Sequence, residues 1–374
     1  MDSSVKQKIL FVPAWWPCSF FEEQQQVYAN QYEILNLIGE VKFERRRNLL
    51  KFIKKTHVRI LKTDDMYRLS VDWFRFSKKC NLNRQFDKLV DEVGAQIIQV
   101  FSGEKPAMVH VQSISDISVF VAFWAKNNNI PLFVTEHILY IRRQFDYFTQ
   151  KKEQVYSIAQ RVYCVSNYLL RNLITNGFYM KYANVIGNIV SKPAEILVTN
   201  DKIRNDRVMF VAGHLHDKEF DILLEVASLL QQEKVQFDVY GLNGSDKYEN
   251  EKTIDQEIEI RKITNLKMQG KFSHDQMLKK YAGYSVLLST SVSETFGLAV
   301  AEAIASGVPV VCTDSGGIRD FVNENNGVIV NIRDVKSIVW AVKYVLNAKF
   351  DYVMMSNNIL NKYDILSYKR RLYE

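Results

Sequence analysis

The residues of this 374-residue sequence best suited to chemistry lie between Ser289 and Gly317, STSVSETFGLAVAEAIASGVPVVCTDSGG. Glu294 stands in a polar stretch, and Glu302 follows inside an alanine-rich segment of good helix formers. If both were helical they would be separated by about 12 Å along the axis. That exceeds the roughly 5–9.5 Å between the two carboxyl groups of a glycosidase. The spacing suits two separate contacts along one elongated ligand; the alternative is a capping carboxylate followed by an exposed helical Glu. Between the two, Phe296-Gly297-Leu298 opens the helix. A helix N-terminus offers unpaired N–H groups and a partial positive charge, and a glycine there lets a phosphate approach the backbone closely. The ligand reading is therefore a sugar near Glu294, phosphates over 296–298 and ribose hydroxyls near Glu302.

Such a loop must be held by a rigid frame, and the flanking residues predict one. Residues 284–288 form an apolar run of strand length, and 299–306 read as a helix closed by Gly307 and Pro309. A second buried strand over 308–312 leads to the Gly316-Gly317 turn and a further helix. Strand, loop, helix, strand and glycine turn in this order build parallel α/β sheets.

The string resembles the signature of retaining glycosyltransferase family 4, a Glu, seven residues and a second Glu. Glu294, Phe296, Gly297, Leu298, Glu302, Ala303, Gly307, Pro309, Val310, Gly316 and Gly317 all match that pattern. The resemblance implies a GT-B fold, in which two doubly wound Rossmann-like domains hold a nucleotide-sugar in the cleft between them. It is strongest over 284–317 and weaker before Lys105.

Length and composition agree with two such domains. The chain is long for one doubly wound domain, and 47% hydrophobic residues supply ordinary cores. The four cysteines are scattered without a C-x-x-C pair, which argues against zinc and disulfides and suits a reducing cytoplasm. No signal peptide and no apolar run long enough to span a membrane is read. The net charge of +7 is compatible with nucleic acid, anionic lipid or a phosphorylated substrate. No helix-turn-helix, RNA-binding or finger signature supports the first of these.

The N-terminal domain is expected over 1–190. A strand over 8–13 leads into a loop, Trp15-Trp16-Pro17-Cys18-Ser19-Phe20, where the resembling family usually has a glycine. Trp15 and Trp16 read equally as core aromatics or as an acceptor platform. A helix is predicted over 22–37 and a strand over 41–44. Residues 45–55 mix Arg45, Arg46, Arg47, Lys51, Lys54 and Lys55 with Leu49, Leu50, Phe52 and Ile53. This is either a solvated amphipathic helix or a helix lying on an anionic membrane. A helix over 84–101, strands over 107–111 and 131–135 and a helix over 116–126 follow, then a strand over 162–165, a helix to 176 and a strand over 184–186. His110 lies near the end of one strand and Thr135-Glu136-His137 at the end of its neighbour, the edge where open α/β sheets bind ligands. In the resembling family the histidine at the position of His137 contacts the donor sugar. For His110 a structural and a site role stand level.

Residues 191–206 read as a linker, and 207–355 as a second domain, with 356–374 returning to pack on the first. A strand over 207–212 and a helix over 218–232 flank Gly213-His214-Leu215-His216-Asp217-Lys218-Glu219. Here the family usually has an Arg, a Gly and a Lys, the Arg and Lys both on the diphosphate. Lys218 matches, the Arg is absent with His214 nearby, and Glu219 replaces the Gly. After a strand over 236–240, the Gly241-Leu242-Asn243-Gly244 turn is not a dinucleotide fingerprint. A strand over 266–269 ends at Gly270-Lys271-Phe272, where the family's nucleotide base packs, and Ser273 caps the next helix. A strand over 328–330 and helices complete the chain.

These readings predict a retaining, metal-independent glycosyltransferase without a cofactor. Its donor would be a UDP- or GDP-linked sugar, and its acceptor lipid-linked or a saccharide in surface-polysaccharide or lipopolysaccharide synthesis. The protein is expected in the cytoplasm, peripheral on the inner face of the plasma membrane. His137, Glu294 and Lys218 are the expected catalytic set. His214, Gly241, Lys271, Phe272, Phe296, Gly297, Leu298 and Glu302 join Glu294 on the nucleotide-sugar, and Ser19, Phe20 and His110 face the acceptor. No D-x-D motif stands in a strand-end loop to bridge a metal to a diphosphate. The competing readings are a nucleotide-sugar epimerase or hydrolase on the same fold, or a non-catalytic nucleotide-sugar-binding module.

Overall fold

Apolar runs bounded by turn residues become parallel strands, and the segments between them become the covering helices. The computed structural model describes residues 6–14, 19–45, 58–63, 66–75, 82–140, 147–192, 198–200, 205–213, 218–248 and 252–373. The chain divides into two units between Ile186 and Gly187, and 356–374 belongs to the second.

The first unit runs β1 (Gln7–Pro13), α1 (Ser19–Ala29), β2 (Tyr32–Arg45), β3 (Val58–Thr63), β4 (Met66–Arg75), α2 (Leu82–Val100), β5 (Met108–Gln112), α3 (Asp116–Asn127), β6 (Leu132–Glu136), α4 (Tyr147–Ile158), β7 (Arg161–Cys164), α5 (Asn167–Thr175) and β8 (Ala183–Val185). The sheet order is β3-β4-β2-β1-β5-β6-β7-β8, and its described pairings are parallel except β3 with β4. Ile9, Leu10, Phe11 and Val12 of β1 are all buried, as a central strand covered on both faces requires.

The helix expected over 22–37 is a correction. It ends at Ala29, and Tyr32 starts a strand that absorbs the short strand expected over 41–44. Residues 32–36 pair in register with β1, Leu35 opposite Leu10, and 37–45 pair with β4. Sheet pairing to distant residues outweighs the local helical pattern. The β3–β4 hairpin had no counterpart in the sequence reading. Gly39 has a packing reason, since a Cβ there would sit 2.2 Å from the Leu69 carbonyl oxygen.

The second unit runs β9 (Arg207–Val211), α6 (Phe220–Leu230), β10 (Gln236–Tyr240), α7 (Ile254–Ile260), β11 (Leu266–Gly270), α8 (His274–Tyr281), β12 (Val286–Ser289), α9 (Leu298–Ala305), β13 (Val310–Thr313), β14 (Gly327–Val330), α10 (Val335–Asn347), α11 (Tyr352–Tyr363) and α12 (Ile365–Tyr373). All strands are parallel in the order β11-β10-β9-β12-β13-β14. The order reverses between β9 and β12, the crevice where open α/β sheets take ligands. Helix α6 buries Phe220, Leu223, Leu224, Ala227 and Leu230, one face at helical spacing, into a core shared with Phe210, Val239 and Leu288. After the second glycine turn a single 3₁₀ turn, Gly317–Asp320, replaces the expected helix. Both units are doubly wound α/β structures, as the sequence predicted.

Candidate functional site

The carboxyl ends of β9 and β12 bring together Lys218, Glu294, Gly297 and Leu298 of the residues that the sequence singled out in the second unit. Lys218 precedes α6 and donates from Nζ to Glu294 Oε1. Ser291 Oγ donates to the same oxygen at 2.7 Å, and Thr290 Oγ1 ties the Lys218 carbonyl to the β12 loop. The Glu294 backbone is fixed as well. Its N–H donates to the Ser315 carbonyl at 2.7 Å, and its carbonyl accepts from Gly317 N–H at 2.8 Å. Gly317 is needed for this approach, because a Cβ there would meet the Thr295 carbonyl oxygen at 2.3 Å. His214 lies outside the described residues.

Gly297 is the N-cap of α9 with φ +92° and no side-chain cap. The N–H groups of Leu298 and Ala299 stand in the first turn with no helical carbonyl behind them. A small cavity of about 30 Å³ is lined by Lys218, Ser289, Glu294, Gly297, Leu298 and Ala299, among others. One cation, one carboxylate and a helix N-terminus thus converge on one hollow, an arrangement that favours an anion next to a hydroxylated group. The Phe296 ring is buried, 5.2 Å from Phe321 and 5.1 Å from Tyr363.

Glu302 is buried within α9. Its Oε1 lies 2.6 Å from His274 Nε2, and its Oε2 accepts from Tyr281 Oη at 3.0 Å. Burial, and then the charge of Glu302, push the Tyr281 hydroxyl well above its ordinary pKa, so it remains a donor. His274 is the first residue of α8, whose N-cap Ser273 forms a capping box with Gln276, as the sequence predicted for Ser273. Just before it, Phe272 is 38% exposed, meets Tyr240 edge-on at 5.7 Å and carries the Lys280 ammonium 4.1 Å from its ring centroid. Lys271 pairs with Asp246 at 3.4 Å. Gly241, with φ +88°, lets the end of β10 press on β9, since a Cβ would meet the Ala212 carbonyl oxygen at 2.2 Å.

In the first unit, His110 lies within β5 and His137 just beyond β6. The His110 Nδ1 is 2.9 Å from Tyr28 Oη, and its Nε2 is 2.8 Å from Thr135 Oγ1 and 3.2 Å from Gln112 Nε2. His137 Nε2 is 2.8 Å from Gln112 Oε1. One assignment satisfies all of these contacts: His110 protonated on Nδ1, Gln112 donating to His110 Nε2, and His137 donating from Nε2 to Gln112. Burial lowers the pKa of each imidazole to about 3, with His110 adding to the effect on His137. Both rings are neutral near pH 7, and His110 is part of a buried network. The Glu136 carboxylate lies beneath His137 and accepts from the N–H groups of His137 and Ile138 and from Tyr156 Oη. Ser19 and Phe20 begin α1, but their side chains, Trp15 and Trp16, and residues 46–57 lie outside the described residues.

Sequence reading missed Gln112, Tyr28, His274 and Tyr281. Each acts through a partner on another element, and no local spacing marks it. No helix among the described residues is long and apolar enough to cross a membrane.

Residues 195–362 match the family model of glycosyl transferases group 1. Among curated proteins, the chain is 37% identical over 82 residues to the sulfoquinovosyl transferase SQD2 of Arabidopsis thaliana, covering 21% of this chain and 16% of that protein. It is 22% identical over 219 residues to a glycogen synthase of Clostridium botulinum, 52% of this chain and 45% of the other. The chain thus spans less than half the length of these curated relatives. Among solved structures, Anabaena HepE in complex with UDP superposes with a TM-score of 0.69 at 16% identity, over 98% of both chains. This likeness establishes the GT-B fold, and the residues that match the group 1 model lie within the second unit.

Proposed function

We propose that this chain transfers a sugar from a nucleotide-sugar donor to an acceptor hydroxyl, with retention at the anomeric carbon. The observation that carries this reading is the Lys218–Glu294 pair beside the open N-terminus of α9, at the point where the sheet order reverses. The family match over 195–362 and the UDP held by a protein of the same fold support it. In this reading the donor diphosphate takes Lys218 and the N–H groups of 297–299, and Glu294, released from the ammonium, orients the sugar hydroxyls. Glu302 takes the ribose, Lys271 and Phe272 flank the base, and His137 contacts the sugar. The anomeric carbon–phosphate oxygen bond breaks as the acceptor oxygen bonds on the same face. The acceptor proton leaves to the departing phosphate. Charge on the leaving group is stabilised by preorganised groups without a bridging metal.

The acceptor class follows the resemblance and is a lipid-linked or saccharide hydroxyl of a cell-surface glycan. A place on the inner face of the plasma membrane, through the basic residues of 45–55, completes the proposal. The test is transfer of radiolabelled sugar from UDP- and GDP-sugars to lipid extracts and oligosaccharides, with and without EDTA. Labelled acceptor formed in both conditions supports the reading. Free sugar alone would indicate a hydrolase, an isomerised donor an epimerase, and tight binding without turnover a non-catalytic module.

A further inference from the structure

Glu302 has a partner with no role in the reading above. The carboxylate is buried inside α9, and its two oxygens are held from α8, by Tyr281 at 3.0 Å and by His274 at 2.6 Å. The two partners differ in position. Tyr281 is fully interior, whereas the His274 side chain keeps 23% of its surface exposed. His274 is therefore the partner on the solvent side, where a ligand must arrive. It also stands two residues beyond Phe272, which with Lys271 is assigned to the nucleotide base.

A carboxylate accepts about four hydrogen bonds, and Tyr281 and His274 use two. The remaining lone pairs can accept two vicinal hydroxyls only if the carboxylate plane is fixed, and a bond on each oxygen fixes it. We propose that His274 is a positioning residue of the donor site: its Nε2–H sets the Glu302 carboxylate to accept ribose hydroxyls and ties that geometry to the base-side loop at 270–273. The ligand class it selects is a ribonucleotide over its 2′-deoxy counterpart. This rests on the assignment of Glu302 to ribose.

The test compares the affinity of the full chain for UDP, GDP and ADP with that for dUDP, dGDP and dADP by calorimetry. Wild-type protein is expected to prefer the ribonucleotide of its cognate base about tenfold or more, the scale of a hydrogen bond to a charged group. His274→Ala is expected to reduce that ratio to about two or less, and His274→Gln, whose amide N–H reaches a similar point, to restore most of it. A structural role alone would lower affinity for both nucleotides and leave the ratio unchanged. Should the alanine variant not fold, His274→Leu carries the same comparison. A wild-type ratio near one, or a full ratio in Glu302→Gln, rejects the ribose assignment and the proposal with it. A ratio lost in Glu302→Gln but kept in His274→Ala rejects the role of His274 alone. Tighter ribonucleotide binding in His274→Ala would make the histidine a competitor of the ligand and overturn the proposal.

Discussion

Lys218 and Glu294 neutralise each other in a partly buried setting, so their effects on a donor are separable by charge. Lys218→Ala removes the cation assigned to the diphosphate, and nucleoside diphosphate affinity is expected to fall about 10- to 100-fold, the equivalent of 1.5–3 kcal/mol. Glu294→Ala is expected to lower turnover far more than that affinity. Calorimetry and initial rates on the two variants check both, and a Glu294 variant with normal turnover would remove the residue from the sugar. The buried imidazoles make a second residue-scale prediction. His110 and His137 remain neutral in the folded protein down to about pH 3, while unfolded histidine takes a proton near 6.5. Below pH 6.5 the unfolded state binds more protons, so stability falls as pH falls, by about 1.4 kcal/mol per pH unit for each ring. Urea midpoints at pH 7.5 and 5.5 should show the loss, and His110→Gln should show less of it. Glu219, at φ +45° where the resembling family usually has glycine, carries left-handed backbone strain of about 1–2 kcal/mol. Its ion pair to Arg333 at 2.6 Å is largely exposed on the arginine side and offsets little of this. Glu219→Gly is expected to raise the unfolding midpoint, and an unchanged or lower midpoint would show the strain to be compensated.

At the scale of elements, the α9 frame was legible because its signals are local: Gly297 and Gly307 punctuate one helix, and apolar strand-length runs flank it. Gly297 also yields a prediction. A Cβ there would lie 2.6 Å from Ile318 Cγ2, at a φ of +92° that other residues rarely adopt. Gly297→Ala is expected to lower stability by roughly 1–3 kcal/mol and to weaken diphosphate binding, read from denaturant midpoints and nucleotide titration on the same protein. What was not legible depends on distant partners. Residues 32–37 satisfy a helical pattern locally, yet β1 and β4 claim them as strand. The β3–β4 hairpin sits at the sheet edge and its alternation is weak. Gln112 meets both imidazoles only because β5 and β6 set His110 and His137 on either side of it, and His274 meets Glu302 because α8 packs on α9.

For the whole molecule, the second unit is the better read half because its glycines mark where backbone must approach backbone or ligand, at Gly241, Gly297 and Gly317. The first unit shows a buried histidine network where β5 and β6 end. The account stands or falls on donor binding by the second unit. The direct measurement is the unfolding temperature of the wild-type chain and of Lys218→Ala in the presence of UDP-, GDP-, ADP- and dTDP-sugars. A ligand at 100 times its dissociation constant stabilises the folded state by about 2.7 kcal/mol. The account predicts that at least one of these nucleotide-sugars raises the wild-type midpoint, and that Lys218→Ala loses most of the rise at the same concentration. No rise with any of them, or an equal rise in the variant, would contradict it.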